Sequence, residues 1–132
     1  MPATGNVLLD TSVVVAVLRR APGVKERLHG VEELLVPLVA LGELEYGANL
    51  ATPPERQREA VRTFMEGATL LLPTARTAAE YDRIKAALKA AGTPLPENDV
   101  WIAAFALERG LPLATRDAHF AHVPGLTVLD WR

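Results

Sequence analysis

Residues 6–18 read NVLLDTSVVVAVL, and how this stretch divides decides the fold. Val7 to Leu9 is a short apolar run and reads as a first strand. Asp10-Thr11-Ser12 then supplies helix-capping side chains, so the pattern predicts a helix from Ser12 to Arg20, stopped before Pro22-Gly23. Val13, Val14, Val15 and Val17 pull the other way. They are β-branched, and propensity alone allows one strand from Val7 to Leu18. A strand that ends in an acid and turns into a helix would be the first unit of an α/β sheet.

The remaining chain repeats this alternation. Leu34 to Val36 reads as a second strand ending at Pro37, followed by a helix from Val39 to Leu50 and the breaker Thr52-Pro53-Pro54. Glu55 to Met65 makes a polar, mostly exposed helix, and Thr69 to Leu72 a third strand closed by Pro73. From Thr77 to Ala91 the apolar positions Tyr81, Ile84, Leu88 and Ala91 recur at helical steps until Gly92. After the stiff loop Thr93-Pro94-Leu95-Pro96, Asn98 or Asp99 is expected to cap a helix to Arg109, with Gly110 as its stop. Leu113 to Thr115 and Leu126 to Leu129 are the last two strands. The expected architecture is one α/β domain over residues 1–132, with a central, largely parallel sheet of five strands.

Composition sets the outer bounds. The chain has 132 residues, 49% hydrophobic and 5% aromatic, so Ala, Val and Leu build its core. Zero cysteines exclude a disulfide or thiolate site and suit the cytoplasm, the expected location. The start, MPATGNVLLD, lacks a basic leader, and its apolar stretch is too short and too polar for a membrane span. The formal charge of −2 gives no general basic footprint for nucleic acid. If four carboxylates serve a metal, 14 Lys and Arg face 12 remaining Asp and Glu, which excludes nothing.

Four acids stand out. Asp10 follows the first strand and Asp117 the fourth, and ligands of open α/β sheets bind beyond the carboxyl ends of strands. Each also has an ordinary use, Asp10 as a helix cap and Asp117 as an Asx turn or a cap for Ala118–Phe120. Glu43 lies one turn into its helix, on a stripe with Ala40, Gly47 and Leu50. Asp99 opens a helix whose inward face continues with Ile102, Ala103 and Ala106, though any first-turn acid is favoured by the helix dipole. If the sheet order reverses beside strand one, with strand four on one side and strand two on the other, all four acids converge. Such a cluster repels itself, and a divalent cation relieves it. Oxygen-only ligation favours Mg²⁺ or Mn²⁺ over zinc.

Three segments together resemble the PIN-domain family, and its VapC-type toxins in length: LLDTSVVVAVL at 8–18, LVALGELEYGA at 38–48, and LPENDVWIAAFALERGLPLATRDAHFAHVPGL at 95–126. The resemblance implies a three-layer α/β/α fold and an acidic Mg²⁺ or Mn²⁺ ribonuclease site on Asp10, Glu43, Asp99 and Asp117, with a helping hydroxyl on Thr115. It also implies RNA as substrate, a homodimer, and a small antitoxin partner that blocks the cleft. The family's small residue after the second strand is Pro37 here, which could shift the helix carrying Glu43. A stand-alone RNA-processing nuclease or a catalytically idle RNA-binding module is the alternative. A phosphatase of the haloacid dehalogenase type would need a second Asp where Ser12 stands.

Overall fold

The computed structural model describes residues 5–132. In chain order it contains β1 (Asn6–Leu9), α1 (Thr11–Leu18), α2 (Val24–Leu28), β2 (Glu33–Pro37), α3 (Leu38–Asn49), α4 (Pro54–Glu66), β3 (Thr69–Leu71), α5 (Ala75–Ala91), α6 (Glu97–Arg109), β4 (Leu113–Thr115), a 3-10 turn (Ala118–His122) and β5 (Val128–Asp130). The reading of Met1 to Thr4 as free of a basic leader lies outside the described residues. Among the described residues no helix is long and apolar enough to cross a membrane.

The five strands form one sheet in the order β3-β2-β1-β4-β5, every pair parallel. Val7, Leu8 and Leu9 are fully buried, as a central strand covered on both faces must be. The chain steps from β1 outward to β3, then returns across β1 to β4. Right-handed crossovers therefore place α1–α4 on one face and α5–α6 on the other, giving three α/β/α layers. The packing of α1 on α3 and α4, and of α5 on α6, fits that division. The order reverses between β1 and β4, so the carboxyl ends of those two strands frame the crevice.

The β-branched run after Asp10 is helical, which settles the division of residues 6–18. The Asp10 side chain accepts the Val13 N–H, and Val13, Val14 and Ala16 are buried against the sheet. Tertiary burial overrides propensity here. Other expectations need correction. The helix α2 was not anticipated. Helix α5 begins at Ala75 rather than Thr77, because Thr74 and Thr77 form a reciprocal cap. Ala91 is exposed and is not part of its apolar face. The residue before α6 is Pro96, so Asp99 lies inside its first turn and neither Asn98 nor Asp99 is the cap.

The C-terminal segment is fastened to the end of β4. The Trp131 N–H donates to the Thr115 carbonyl at 2.8 Å, and the Arg116 guanidinium donates to the Trp131 carbonyl at 3.0 Å. Arg27 donates to the Asp130 carbonyl at 3.1 Å.

The α5 cap is a small, closed network. Thr77, fully buried, donates to Glu108 at 2.5 Å and accepts the Thr74 N–H at 2.8 Å. Thr77→Val keeps the shape and removes the hydroxyl, so it should cost about 1–2 kcal/mol. A lowered urea midpoint at constant slope would register this. An unchanged midpoint would mean that Glu108 and Thr74 suffice without it.

Candidate active site

Asp10 sits where β1 ends and is 3% exposed. Burial at this depth demands partners for both carboxylate oxygens. One oxygen accepts the Ser12 hydroxyl at 2.7 Å and the Val13 N–H at 3.0 Å. The other accepts the Thr115 hydroxyl at 2.5 Å. Each of those hydroxyls in turn accepts a backbone N–H, Ser12 from Arg116 at 3.0 Å and Thr115 from Asp117 at 2.9 Å. Two hydroxyl relays thus hold the turn after β4 against the acid after β1. The cap and the site are the same carboxylate, so the ordinary use of Asp10 does not compete with a chemical one.

Glu43 is half-buried on α3, and its carboxylate accepts the Thr11 hydroxyl at 2.6 Å. The stripe expected around it is only partly enclosed: Ala40 is buried, whereas Gly47 is exposed and Leu50 is 66% exposed. The inward residues of α3 are Ala40, Leu44 and Ala48, which leaves Glu43 at the edge of that face, over the crevice. Pro37 is paired in β2 opposite Leu71 and precedes α3 directly. Asp117 caps the 3-10 turn, accepting the His119 N–H at 2.9 Å and lying 2.8 Å from His119 Nδ1.

Electrostatics tie the four acids together. Burial, then repulsion from Asp117, Glu43 and Asp10, pushes the Asp99 carboxyl up to about 6. Burial also raises Asp10, against the lowering pull of the Thr115 and Ser12 hydroxyls and the Val13 N–H. Among the described residues no lysine or arginine forms an ion pair with any of the four, and His119 is the sole basic partner, on Asp117. Also among the described residues, no three His, Cys, Asp or Glu side chains stand close enough as placed to ligate one ion directly. Asp10 and Glu43 point to their hydroxyl donors instead. The donor chemistry, four carboxylates with His119 as their sole basic partner among the described residues, fits a hard divalent ion bound through oxygen.

Thr11, Ser12 and His119 were absent from the sequence reading as site residues. The Asp-Thr-Ser run offered a signal for the first two, since hydroxyls beside a buried acid are natural donors to it. His119 had only its place two residues after Asp117.

A raised carboxyl has a definite stability signature. Asp99 binds its proton more tightly folded than unfolded, so its contribution is favourable at low pH and is lost as pH rises from about 4 through 6. In chelator at pH 7.5, Asp99→Asn should raise stability by on the order of 1 kcal/mol, after allowance for solvent screening. The two proteins should converge near pH 4. Equal melting temperatures at both pH values would show that the four acids do not share a field.

A family model described as PIN domain matches residues 7–126. Ribonuclease VapC2 of Haemophilus influenzae is 32% identical over 127 residues, covering 94% of this chain and 96% of that protein. The crystal structure of DNA bound VapBC from Salmonella typhimurium superimposes with a TM-score of 0.90 at 29% identity, covering 96% of this chain and 98% of that one. VapBC-5 from Mycobacterium tuberculosis, described as a member of the VapBC family of toxin-antitoxin systems, gives 0.75 at 31% identity over 96% of this chain and 98% of that one. With a parallel sheet reversing between β1 and β4, an acid at the end of each of those strands, and a match over nearly the whole length, the chain belongs to the PIN domain family.

Proposed function

We propose that this protein is a metal-dependent endoribonuclease and the toxin half of a toxin–antitoxin pair. The observation that carries the reading is the acid cluster: Asp99 raised to about 6 by burial and by Asp117, Glu43 and Asp10, with His119 the sole basic partner and no lysine or arginine paired to any of them among the described residues. The similarity to a VapC ribonuclease and to VapBC complexes supports RNA as substrate and a small protein as partner.

Asp10 and Asp99 would hold Mg²⁺ or Mn²⁺, and Asp117 would complete the shell or hold a second ion. Such an ion supplies a water of lowered pKa and neutralises charge on the phosphate oxygens. The protein's own groups do the positioning. Ser12 and Thr115 fix the rotamer of Asp10, and Thr11 fixes Glu43. Glu43 orients the attacking water and takes its proton. The water oxygen bonds to phosphorus as the bond from phosphorus to the 3′ oxygen breaks, leaving a 5′-phosphate and a 3′-hydroxyl.

Purified protein incubated with mixed RNA should cleave it with Mn²⁺ or Mg²⁺ and stop in EDTA. Asp10→Asn keeps a good helix cap, so it should fold while losing about 10²–10³-fold or more in rate. Undiminished cleavage in the chelator, or full activity in a folded Asp10→Asn protein, would end the proposal.

In the same preparation, Mn²⁺ should raise the melting temperature of the wild-type protein at pH 7.5 and raise that of Asp99→Asn less, since one ligand and one repelling charge are gone. Equal shifts in the two proteins would place the ion elsewhere.

A further inference from the structure

The turn that carries Asp117 leaves the sheet at Thr115, which pairs with Asp130 of β5. Its amides are tied toward Asp10. The Arg116 N–H donates to the Ser12 hydroxyl at 3.0 Å and the Asp117 N–H to the Thr115 hydroxyl at 2.9 Å, and both hydroxyls donate to Asp10. Toward β5, residues 116 and 117 make a single hydrogen bond among the described residues. It runs from the Arg116 guanidinium to the Trp131 carbonyl at 3.0 Å.

That carbonyl is a stationary acceptor. Trp131 is 7% exposed, and its N–H is spent on the Thr115 carbonyl at 2.8 Å. The carbonyls before and after it, of Asp130 and Arg132, accept from Arg27 at 3.1 and 3.4 Å. Three successive carbonyls are thus gripped by two arginines, Arg27 from α2 and Arg116 from the turn. A guanidinium on a carbonyl makes a charge-assisted bond, stronger than a neutral one.

The direction of Arg116 is a second observation. The backbone at Asp117 is extended, with φ −107° and ψ 118°, and side chains alternate along an extended chain. Thr115 donates to Asp10, and Asp117 repels Asp10 and Asp99, so both of its neighbours face the site. Arg116 faces the other way. It stands between two residues of an acid cluster that has no lysine or arginine partner among the described residues, yet its charge goes to a neutral carbonyl. Holding an arginine still costs rotamer freedom. What this one secures is the position of the turn.

We infer that Arg116 is a positioning residue of the active site: by gripping the Trp131 carbonyl it fixes where Asp117 stands relative to Asp10 and Asp99. It touches neither ion nor RNA and acts through Asp117. The inference rests on the metal-dependent reading above. Groups that orient the ligands of a metal shell matter about 10–100-fold for affinity or activity, which sets the size of the effect.

Arg116→Met keeps the aliphatic stem and removes every donor. In the whole protein at pH 7.5, its Mn²⁺ dissociation constant, read by titration calorimetry, should rise about tenfold or more. At saturating Mn²⁺, kcat on a single-stranded RNA should fall by a similar factor with KM unchanged. Arg116→Lys returns a charged donor to the carbonyl and should recover most of both. In an Asp117→Asn background, Arg116→Met should weaken Mn²⁺ binding no further, because the group it acts through is gone. Arg27→Met removes a fastener of the same segment without touching the turn, so it should lower the melting temperature and leave Mn²⁺ affinity alone. Should Arg116→Met fail to fold, Arg116→Gln replaces it with the same readouts. A full additive loss in the Asp117→Asn background, or an equal loss in Arg27→Met, would reduce Arg116 to general stabilisation and overturn the inference. A raised KM for RNA with Mn²⁺ affinity intact would make Arg116 a substrate contact and overturn it as well. Mn²⁺ affinity and kcat unchanged in a folded Arg116 variant would overturn it and leave the nuclease standing. A wild-type protein that neither binds Mn²⁺ nor cleaves RNA would remove both.

Discussion

A single buried carboxylate organises this molecule. Asp10 is nearly inaccessible to water, and an ionised acid there is tolerable only with donors on both oxygens. The protein supplies them from two directions: Ser12 and the Val13 amide from the helix that follows, and Thr115 from the neighbouring strand. Because Ser12 and Thr115 also accept amides from residues 116 and 117, the turn carrying Asp117 is fixed relative to Asp10 through hydroxyls. Repulsion sets the second constraint. Like charges in partial burial raise one another's proton affinity, and Asp99 takes the largest described share. Hydrogen bonding and repulsion oppose each other at the same few atoms, and the scaffold is rigid enough to keep them together.

That rigidity comes from the sheet. Strand β1 lies at the centre, paired on both sides and apolar throughout its buried part, and the reversal of strand order beside it opens the crevice. Helix α3 brings Glu43 in from one face, and α6 brings Asp99 in its first turn. A largely aliphatic core is enough for this purpose, with Phe105 and Phe120 the largest fully buried side chains.

Much of this was legible in the sequence, and the failures have physical causes. The strand-acid-helix division of residues 6–18 was readable from Asp10-Thr11-Ser12, although the valines after it argued for a strand; burial against the sheet outweighed their propensity. The reversal of order, with β1 between β2 and β4, entered the sequence reading only as the condition under which the acids would meet, and the sheet has that order. Helix α2 was missed because its five residues are too few to show a periodic apolar face. The start of α5 was placed late because a reciprocal cap between Thr74 and Thr77 looks, in sequence, like two equally good starts. The stripe around Glu43 was phased one position off: glycine and leucine suggested enclosure, but Gly47 and Leu50 are exposed. Glu108 accepts the hydroxyls of Thr74 and Thr77 across from another helix. Pairings of that sort depend on which helices become neighbours, and no local pattern encodes them.

The bond between Thr115 and Asp10 joins residues 105 positions apart. The central strand is therefore the first to be made and among the last to be completed, since its second neighbour arrives only after most of the polypeptide has been synthesised. Loop-closure entropy must be overcome before this pairing rewards it, which slows the final step of assembly. While a ribosome is still extending the chain, Asp10 has the Ser12 hydroxyl but lacks that of Thr115 and the strand that carries it. The crevice itself exists only once that pairing has closed, because one of its two walls is the last part of the sheet to arrive.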